Sequence, residues 1–143
     1  MIKIRILNES IVTEQEKITL SQIVGDNSIV SFDFDNTLVK SFPDFDEDGE
    51  LIYINGGSNA TMINLMKHLI DDPNKKVYVV TSRSQGADEK NPEQGVPAQL
   101  ERLNLKPDGL YYTNTQPKVT KLKDLGVEIH FDDDKKEHDD IQG

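Results

Sequence analysis

The stretch IVSFDFDNT, residues 29–37, is the most informative part of this 143-residue chain. Its β-branched and aromatic residues predict a buried β-strand over residues 29–34. Asp33 and Asp35 lie two positions apart, so in extended chain their side chains point the same way while Phe34 packs into the core. Two carboxylates this close need a cation, or one of them must take a proton. The stretch therefore predicts a strand that delivers acidic groups to a site.

Further strands and helices alternate along the chain after this stretch. Alternation of this kind indicates βαβ units with right-handed crossovers, so the predicted fold class is α/β with a parallel sheet flanked by helices. Besides residues 29–34, the predicted strands are 77–80, 110–112 and 127–131, and the predicted helices run from a cap at Ser58 or Asn59 to Pro73, over 98–103, and from Pro117 to Gly126.

We expect a single domain over residues 1–143, because the chain is too short for two. Residues 1–28 are predicted to be an N-terminal extension, with an alternating strand that enters a small hairpin, followed by a short helix. Residues 40–57 are predicted to form a flap, with Asn55-Gly56-Gly57 as its turn signal. The Gly- and Pro-containing residues 84–97 are predicted to be a surface loop.

Composition restricts the possible functions. The chain has no cysteine, which excludes a disulfide scaffold, a thiolate zinc site and cysteine catalysis. No apolar run approaches the length of a membrane span, and we expect a soluble, cytoplasmic protein with no membrane partner. The net charge is −10, and residues 43–50 and 131–143 account for −5 and −4 of it. Such an acidic protein is unsuited to an extended nucleic-acid groove, whereas concentrated carboxylates suit a divalent cation.

Polar side chains follow three of the predicted strands at the point where each strand ends. These ends are Asp33 to Thr37, Thr81-Ser82-Arg83 and Asp132-Asp133-Asp134. The carboxyl ends of parallel strands meet at one edge of the sheet, where open α/β sheets bind their ligands. We therefore expect these groups to converge on one crevice. Carboxylate oxygens suit Mg²⁺, and the predicted metal ligands are Asp33, Asp35, Asp132 and Asp133.

The same stretches resemble the haloacid dehalogenase superfamily of phosphohydrolases. The resemblance rests on SFDFDNTLV at 31–39, VVTSR at 79–83, Pro117-Lys118 and IHFDDD at 129–134. It implies a Rossmann-like fold and Mg²⁺-dependent phosphoryl transfer through an aspartyl-phosphate. It implies Asp33 as the nucleophile and Asp35 as the general acid and then the base, with Thr37 supporting the turn. It implies that the hydroxyls of Thr81 and Ser82 bind phosphate and that Lys118 offsets the charge between nucleophile and phosphate. Asp132 and Asp133, with the backbone carbonyl of Asp35, are implied to form the cation site.

Several assignments stay open at this point. Lys121 could replace Lys118, whereas Lys123 is expected to be solvated. Arg83 could clamp a substrate phosphate, as a comparable arginine does in the phosphatase domain of polynucleotide kinases, or could pair with a surface acid. We expect structural roles for His68 and His130, and a solvated position for His138. The rings of three tyrosines could stack on a base or pack in the core, namely Tyr53, Tyr111 and Tyr112.

The chain is expected to lack a folded cap domain over the site, and this limits the expected substrate. Too few residues separate Val39 from Asn59, and Arg83 from Lys118, so the site should be open. The resemblance then favours a nucleotide or a polynucleotide-end phosphate, although the acidic flap would repel a long polyanion. A sugar or metabolite phosphatase and a non-catalytic binding module are the alternatives. A phosphoacceptor signalling domain is disfavoured, because that family places its acidic pair near the start of the chain, on a different strand from its acceptor.

Overall fold

A five-stranded sheet forms the centre of the protein. The computed structural model describes residues 3–6, 24–26 and 28–132. All hydrogen-bonded strand pairs of this sheet are parallel, which confirms the predicted fold class. The strands are β1 (Lys3–Ile6), β2 (Ile29–Phe32), β5 (Lys76–Thr81), β6 (Gly109–Tyr112) and β7 (Ile129–Asp132), and a separate antiparallel hairpin consists of β3 (Val39–Phe45) and β4 (Leu51–Ser58).

The order of strands across the sheet is β1-β7-β2-β5-β6. From β2 the chain proceeds outward to β5 and β6, and then crosses to β7 on the opposite side of β2. The strand order therefore reverses between β2 and β7, the position at which open α/β sheets form a ligand crevice beyond the carboxyl ends of their strands. Phe32 pairs with Phe131 at this point, so Asp33 and Asp132 come next to each other at the end of the two strands.

Within the ranges that the structure describes, four full α-helices connect the strands: α1 (Ala60–Ile70), α2 (Gln85–Lys90), α3 (Val96–Arg102) and α4 (Val119–Leu125). The Asn59 side chain caps α1 by accepting a hydrogen bond from the Met62 amide at 3.2 Å. At the end of α4, Gly126 takes the left-handed conformation with φ 71°. These caps lie where the sequence predicts them, and α3 begins two residues before its predicted start.

Residues 84–97 do not form the predicted surface loop. They contain α2, a 3₁₀ turn at Pro92–Gln94 and the start of α3. The Ser84 side chain accepts a hydrogen bond from the Ala87 amide at 3.0 Å and caps α2. Asp88 of this helix is buried and accepts a hydrogen bond from the Val96 amide at 2.8 Å. The prediction was wrong because tertiary burial of Asp88 outweighs the local Gly and Pro signals.

The β3–β4 hairpin, called the flap below, turns at a different place from the one predicted. Asn55-Gly56-Gly57 lies within β4, and the turn lies at residues 46–49. The carboxylate of Asp46 accepts hydrogen bonds from the Asp48 and Glu50 amides, each at 2.9 Å, and Gly49 adopts a positive φ of 77°. An Asp side chain that bonds to the amides ahead of it stabilises a tight turn, which is why the acidic residues form the tip of the flap.

The core lies between the sheet and the helices that cover it. Alternate residues of β2, β5 and β7 are buried together with the apolar face of α1, and the rings of Phe32 and Phe131 stack at 5.0 Å. The strand predicted near the N-terminus is β1, an edge strand beside β7, whereas the turn predicted at residues 8–10 and the start of the helix predicted from Thr19 lie outside the described residues. In the described ranges, no helix is long and apolar enough to cross a membrane.

Candidate active site

The ammonium group of Lys118 lies between two buried carboxylates at the switch point of the sheet. Its Nζ is 2.9 Å from Oδ1 of Asp33 and 2.7 Å from Oδ2 of Asp132. Asp33 follows β2 and Asp132 ends β7, while Lys118 is the residue before α4. All three are at most 5% exposed. The sequence therefore predicted three groups that the tertiary structure brings into direct contact.

Among the described residues one ammonium lies between two carboxylates, so this cluster carries an excess of negative charge when both are ionised. Burial would lower the pKa of Lys118, but Asp33 and Asp132 raise it above its usual value, and the lysine is charged. Burial raises the pKa of Asp33 well above its usual value, and repulsion from Asp132 and Asp35 adds to this despite the attraction of Lys118. Burial also acts to raise the pKa of Asp132, but the hydrogen bond from His130 and the charge of Lys118 hold it well below its usual range. Asp33 is therefore the carboxylate that remains poorly compensated.

The buried imidazole of His130 forms a hydrogen bond with the carboxylate of Asp132. Its Nε2 lies 2.9 Å from Oδ2 of Asp132, and its Nδ1 lies 2.6 Å from the hydroxyl of Ser31. Burial lowers the pKa of His130, so the ring is neutral near pH 7. Because the ionised Asp132 can only accept, Nε2 carries the proton and donates it, and Nδ1 accepts from Ser31. His130 thus has the structural role expected from the sequence, with a defined tautomer.

Arg83 binds the other acidic residue of the DFD stretch. Its Nε lies 3.1 and 3.0 Å from the two carboxylate oxygens of Asp35, and its Nη2 lies 2.7 Å from Oδ1. The guanidinium is 1% exposed, whereas the Asp35 side chain is 17% exposed. Arg83 therefore pairs with an acid, as one of the two alternatives predicted, and that acid is the predicted general acid Asp35. Its role as a clamp for a substrate phosphate stays a prediction.

The remaining donors of Arg83 are also used. Nη1 donates to Asp88 at 2.9 Å and to the carbonyl of Gln94 at 2.8 Å, and Nη2 donates to the side chain of Asn55 at 3.0 Å. All five N–H groups of the guanidinium are therefore bonded. The guanidinium also lies 4.4 Å from the ring centroid of Tyr53 and 5.1 Å from that of Phe34.

Sequence reasoning missed the residues that surround Arg83. Asp88 was assigned to a surface loop, and Asn55 to a turn. Gln94 was not singled out, yet it accepts two hydrogen bonds from the Asn55 side-chain amide, through its backbone and side-chain oxygens at 2.7 and 3.0 Å. Local sequence carries little signal for these contacts, because apart from Arg83 and Asp88, which are five positions apart, they join residues between 11 and 39 positions apart.

Hydroxyl groups lie at the ends of β2 and β5. Thr81 is fully buried, and its Oγ1 accepts a hydrogen bond from the Arg83 amide at 3.2 Å. Ser82 is half-buried beside it. Thr37, also fully buried, has a hydroxyl oxygen with no hydrogen-bond partner among the described residues. The polar residues of the two strand ends are therefore positioned at the same edge of the sheet.

The predicted magnesium ligands include Asp35 and Asp132, whose side chains already bind other protein groups. Within the described ranges no three acidic or histidine side chains cluster as a metal site. The carboxylate of Asp35 is bound by Arg83, and Asp132 is bound by Lys118 and His130. Asp133 lies outside the described residues. The excess negative charge at Asp33 is the feature that fits an added cation.

The alternative site residues have other environments. Lys121 lies over the Tyr111 ring, with Nζ 5.3 Å from its centroid, and Lys123 is exposed. The ring of Tyr111 packs edge-on against Tyr78, and the Tyr112 hydroxyl donates to Asp88 at 2.8 Å. His68 is exposed on α1, and His138 lies outside the described residues.

Comparison with known proteins adds little to this geometry. No family model matches the chain, and none of the curated proteins matches it. A solved structure from Vibrio cholerae, described as a "putative 3-deoxy-D-manno-octulosonate 8-phosphate phosphatase", is similar at 15% identity with a TM-score of 0.42. The match covers 79% of this chain, which spans 59% of the length of that structure. Such a distant likeness carries no argument about activity, so the functional argument depends on the site itself.

Proposed function

We propose that the protein is a phosphomonoester hydrolase of the haloacid dehalogenase type, with Asp33 as its nucleophile. The observation that carries the proposal is the position of Lys118 Nζ, between Asp33 at 2.9 Å and Asp132 at 2.7 Å at the switch point of the sheet. A carboxylate that attacks an anionic phosphate needs a fixed positive charge beside it, and a buried ammonium supplies that charge without reorganisation.

The proposed reaction has two steps. An oxygen of Asp33 attacks phosphorus in line, the bond from phosphorus to the ester oxygen breaks, and Asp35, which enters this step protonated, gives that oxygen its proton. Asp35 then accepts a proton from a water molecule that attacks the aspartyl-phosphate, which releases inorganic phosphate and restores Asp33. The hydroxyls of Thr81 and Ser82 bind phosphate oxygens in both steps. Lys118 offsets the charge between nucleophile and phosphate.

We also propose that Mg²⁺ is required. Asp33, the backbone carbonyl of Asp35 and Asp133 would hold it, because the side chains of Asp35 and Asp132 are bound to Arg83, Lys118 and His130. A bound Mg²⁺ supplies positive charge opposite the phosphate oxygens. The excess negative charge at Asp33 supports this requirement. The proposed substrate is a nucleotide or a polynucleotide-end phosphate, with a sugar or metabolite phosphate as the alternative.

The test is phosphate release from p-nitrophenyl phosphate with Mg²⁺ and with excess chelator. We expect turnover only with Mg²⁺, and turnover at the background rate in Asp33→Asn. Asp124→Asn, which changes an exposed carboxylate of α4, is the matched control. Acid quenching of the wild type during turnover should trap a phosphate adduct that mass spectrometry locates on Asp33. Turnover that persists in chelator rejects the metal requirement, and normal turnover in Asp33→Asn rejects the nucleophile.

A non-catalytic binding module is the competing outcome. It would bind inorganic phosphate or phosphomonoesters, detected by calorimetry, without releasing phosphate from any of them.

A further inference from the structure

A cleft of about 370 Å³ opens beside the proposed catalytic residues. We call it the side cleft. It lies between the tip of the flap, the start of α2 and the loop after β6, and its lining includes Leu51, Tyr53, Ser84, Ala87, Asn114 and Thr115. Its volume is in the range of small-ligand sites, which begins at about 300 Å³. The side cleft is therefore large enough for one ring-containing molecule.

Residues that line the side cleft contact residues of the proposed reaction site. Tyr53 lines the cleft, and its ring packs against the guanidinium of Arg83, which holds Asp35. On the opposite wall, the Asn114 amide donates to the carbonyl of Arg83 at 3.2 Å, and the Thr115 amide donates to that of Ser82 at 2.7 Å. A phosphate bound by Ser82 would therefore have the wall of the side cleft as a neighbour.

Two consecutive residues of this wall have an unusual backbone conformation. Asn114 and Thr115 have φ values of 52° and 64°, in the left-handed region. For a β-branched residue such as Thr115 this conformation is a genuine outlier, and conformations of this kind concentrate at ligand sites. Backbone hydrogen bonds to Arg83 and Ser82 hold both residues there, and Asn114 lines the side cleft with an exposed side chain.

The lining of the side cleft is suited to an uncharged group. Leu51, Tyr53 and Ala87 contribute apolar surface, whereas Ser84 and Asn114 contribute groups that bond to hydroxyl or amide functions. The charged residues of the lining are Glu50 and Lys90, and they form an ion pair with each other. Among the described lining residues, no charged group outside this ion pair could bind a second phosphate.

The flap tip makes the approach to the side cleft negative. Residues 43–50 contain five acidic residues and no basic one. Asp46 lies beside Glu50 of the lining, because the Asp46 amide donates to the Glu50 carbonyl and the Asp46 carboxylate accepts from the Glu50 amide, each at 2.9 Å. A leaving group that carries additional phosphates would meet this charge, and the repulsion would decrease with salt.

We propose that the side cleft binds the uncharged alcohol of the substrate, of the size of one nucleoside or one sugar, and that the acidic flap tip rejects alcohols that carry further phosphates. This inference rests on the proposed function and narrows it, because it selects monomeric phosphomonoesters over the phosphorylated ends of nucleic acids. The nucleoside and the sugar share the required chemistry, a neutral ring with hydroxyl groups.

The first test compares kcat/KM for a nucleoside monophosphate, a hexose phosphate and a short single-stranded DNA that ends in the same phosphorylated nucleoside. We expect at least one monomer to be preferred over the DNA by tenfold or more at low salt, with a smaller ratio at high salt. The better monomer identifies the class of alcohol. Equal or better turnover of the DNA overturns the inference.

Two double variants distinguish a local effect of the flap carboxylates on substrate preference from an effect of the net charge of the protein. Glu47→Gln with Asp48→Asn removes two exposed charges at the flap tip and leaves the turn-forming Asp46 in place. We expect this double variant to reduce the preference for monomers several-fold. The control is Asp71→Asn with Asp124→Asn, which makes the same change of net charge at the ends of α1 and α4. Equal effects of the two pairs would contradict a local role of the flap.

A binding measurement keeps the inference distinct from the proposed activity. Adenosine and methyl glucoside are added separately to the Asp33→Asn variant, and the amide signals of Leu51, Ala87 and Asn114 are followed by NMR. Shifts caused by one of the two molecules, and weakened by Asn114→Gly, support the side cleft even if no phosphate is released from any substrate. Glycine tolerates the positive φ at position 114, so this variant removes only the side chain. The absence of shifts with both molecules overturns the inference.

Discussion

The guanidinium of Arg83 binds both carboxylate oxygens of Asp35, with Nη2 2.7 Å from Oδ1 and Nε 3.0 Å from Oδ2. The same guanidinium binds Asn55 of the flap and Asp88 of α2. The orientation of Asp35 is therefore coupled to the position of the flap through one buried cation. In the proposed mechanism Arg83 is a positioning residue, since it acts on the substrate through Asp35.

Replacing Arg83 should destabilise the fold strongly. Arg83→Gln leaves Asp35 and Asp88 without their cation, and breaking a buried pair by removing one partner costs about 3–5 kcal/mol. Arg83→Lys should lose less, because it keeps the charge although it lacks the planar fork. Urea denaturation measures both variants. Arg102→Gln, which removes an exposed arginine bonded to Gln99, is the control and should change the free energy of unfolding by at most about 0.5 kcal/mol. Similar losses in the two Gln variants would contradict the role of Arg83.

Lys118 and Lys121 should differ sharply in activity. Lys118→Met removes the ammonium beside Asp33 and should lower kcat for an aryl phosphate about 10²–10³-fold, which is typical for the loss of one preorganised electrostatic group. Lys121→Met should stay close to wild type, since Lys121 lies over Tyr111 and contributes to packing. Circular dichroism checks that both variants are folded. A larger loss in Lys121→Met would transfer the catalytic role to that residue.

Asp33→Asn should be more stable than the wild type at alkaline pH. The pKa of Asp33 is raised by burial, so the folded chain holds this proton more tightly than the unfolded chain. The resulting stabilisation is complete below the unfolded pKa of about 4 and is lost as the pH rises through the folded pKa. Urea denaturation in chelator from acidic to alkaline pH should show an advantage for Asp33→Asn that grows with pH. The opposite trend would contradict a raised pKa of Asp33. The control variant Asp124→Asn should show no dependence of this kind.

The stability of the wild type should also depend on His130 in mildly acidic solution. The pKa of His130 is lowered by burial, so the unfolded chain binds a proton that the folded chain does not. This part of the stability is present above the unfolded pKa of about 6.5 and decreases as the pH falls below it. His130→Gln should reduce the loss of stability between about pH 7.5 and 5.5. His68→Gln, at an exposed position of α1, should leave it unchanged. If both variants lose stability with acid as the wild type does, His130 is not the group responsible.

Most of the sheet could be predicted from local sequence. The runs that form β2, β5, β6 and β7 are apolar and β-branched or aromatic, and the caps at Asn59 and Gly126 mark the limits of α1 and α4. Local patterns failed where a tertiary contact decides the conformation. Asp88 stabilises α2 from within a Gly- and Pro-containing segment, and Asp46 places the flap turn nine residues before the Asn55-Gly56 signal.

For the candidate site, the sequence indicated which residues would gather but not how they would pair. Asp33, Thr81, Lys118 and Asp132 were all expected at the carboxyl edge of the sheet, because each ends a strand or begins a helix. The pairing of Arg83 with Asp35 was not foreseen, because it depends on the flap and on α2. Asp133 lies outside the described residues, so its proposed contribution to a metal site stays a prediction.

By itself, the sequence determined a parallel α/β sheet with acidic and hydroxyl groups at the ends of its strands, because apolar runs and their polar ends are local features. Only the tertiary structure decided that Lys118 bridges Asp33 and Asp132 and that Arg83 holds Asp35 under the flap. The physical reason is that a buried charge must find its counter-charge within a few ångströms. Which counter-charge is near depends on the placement of β7 beside β2, which brings together residues about 100 positions apart.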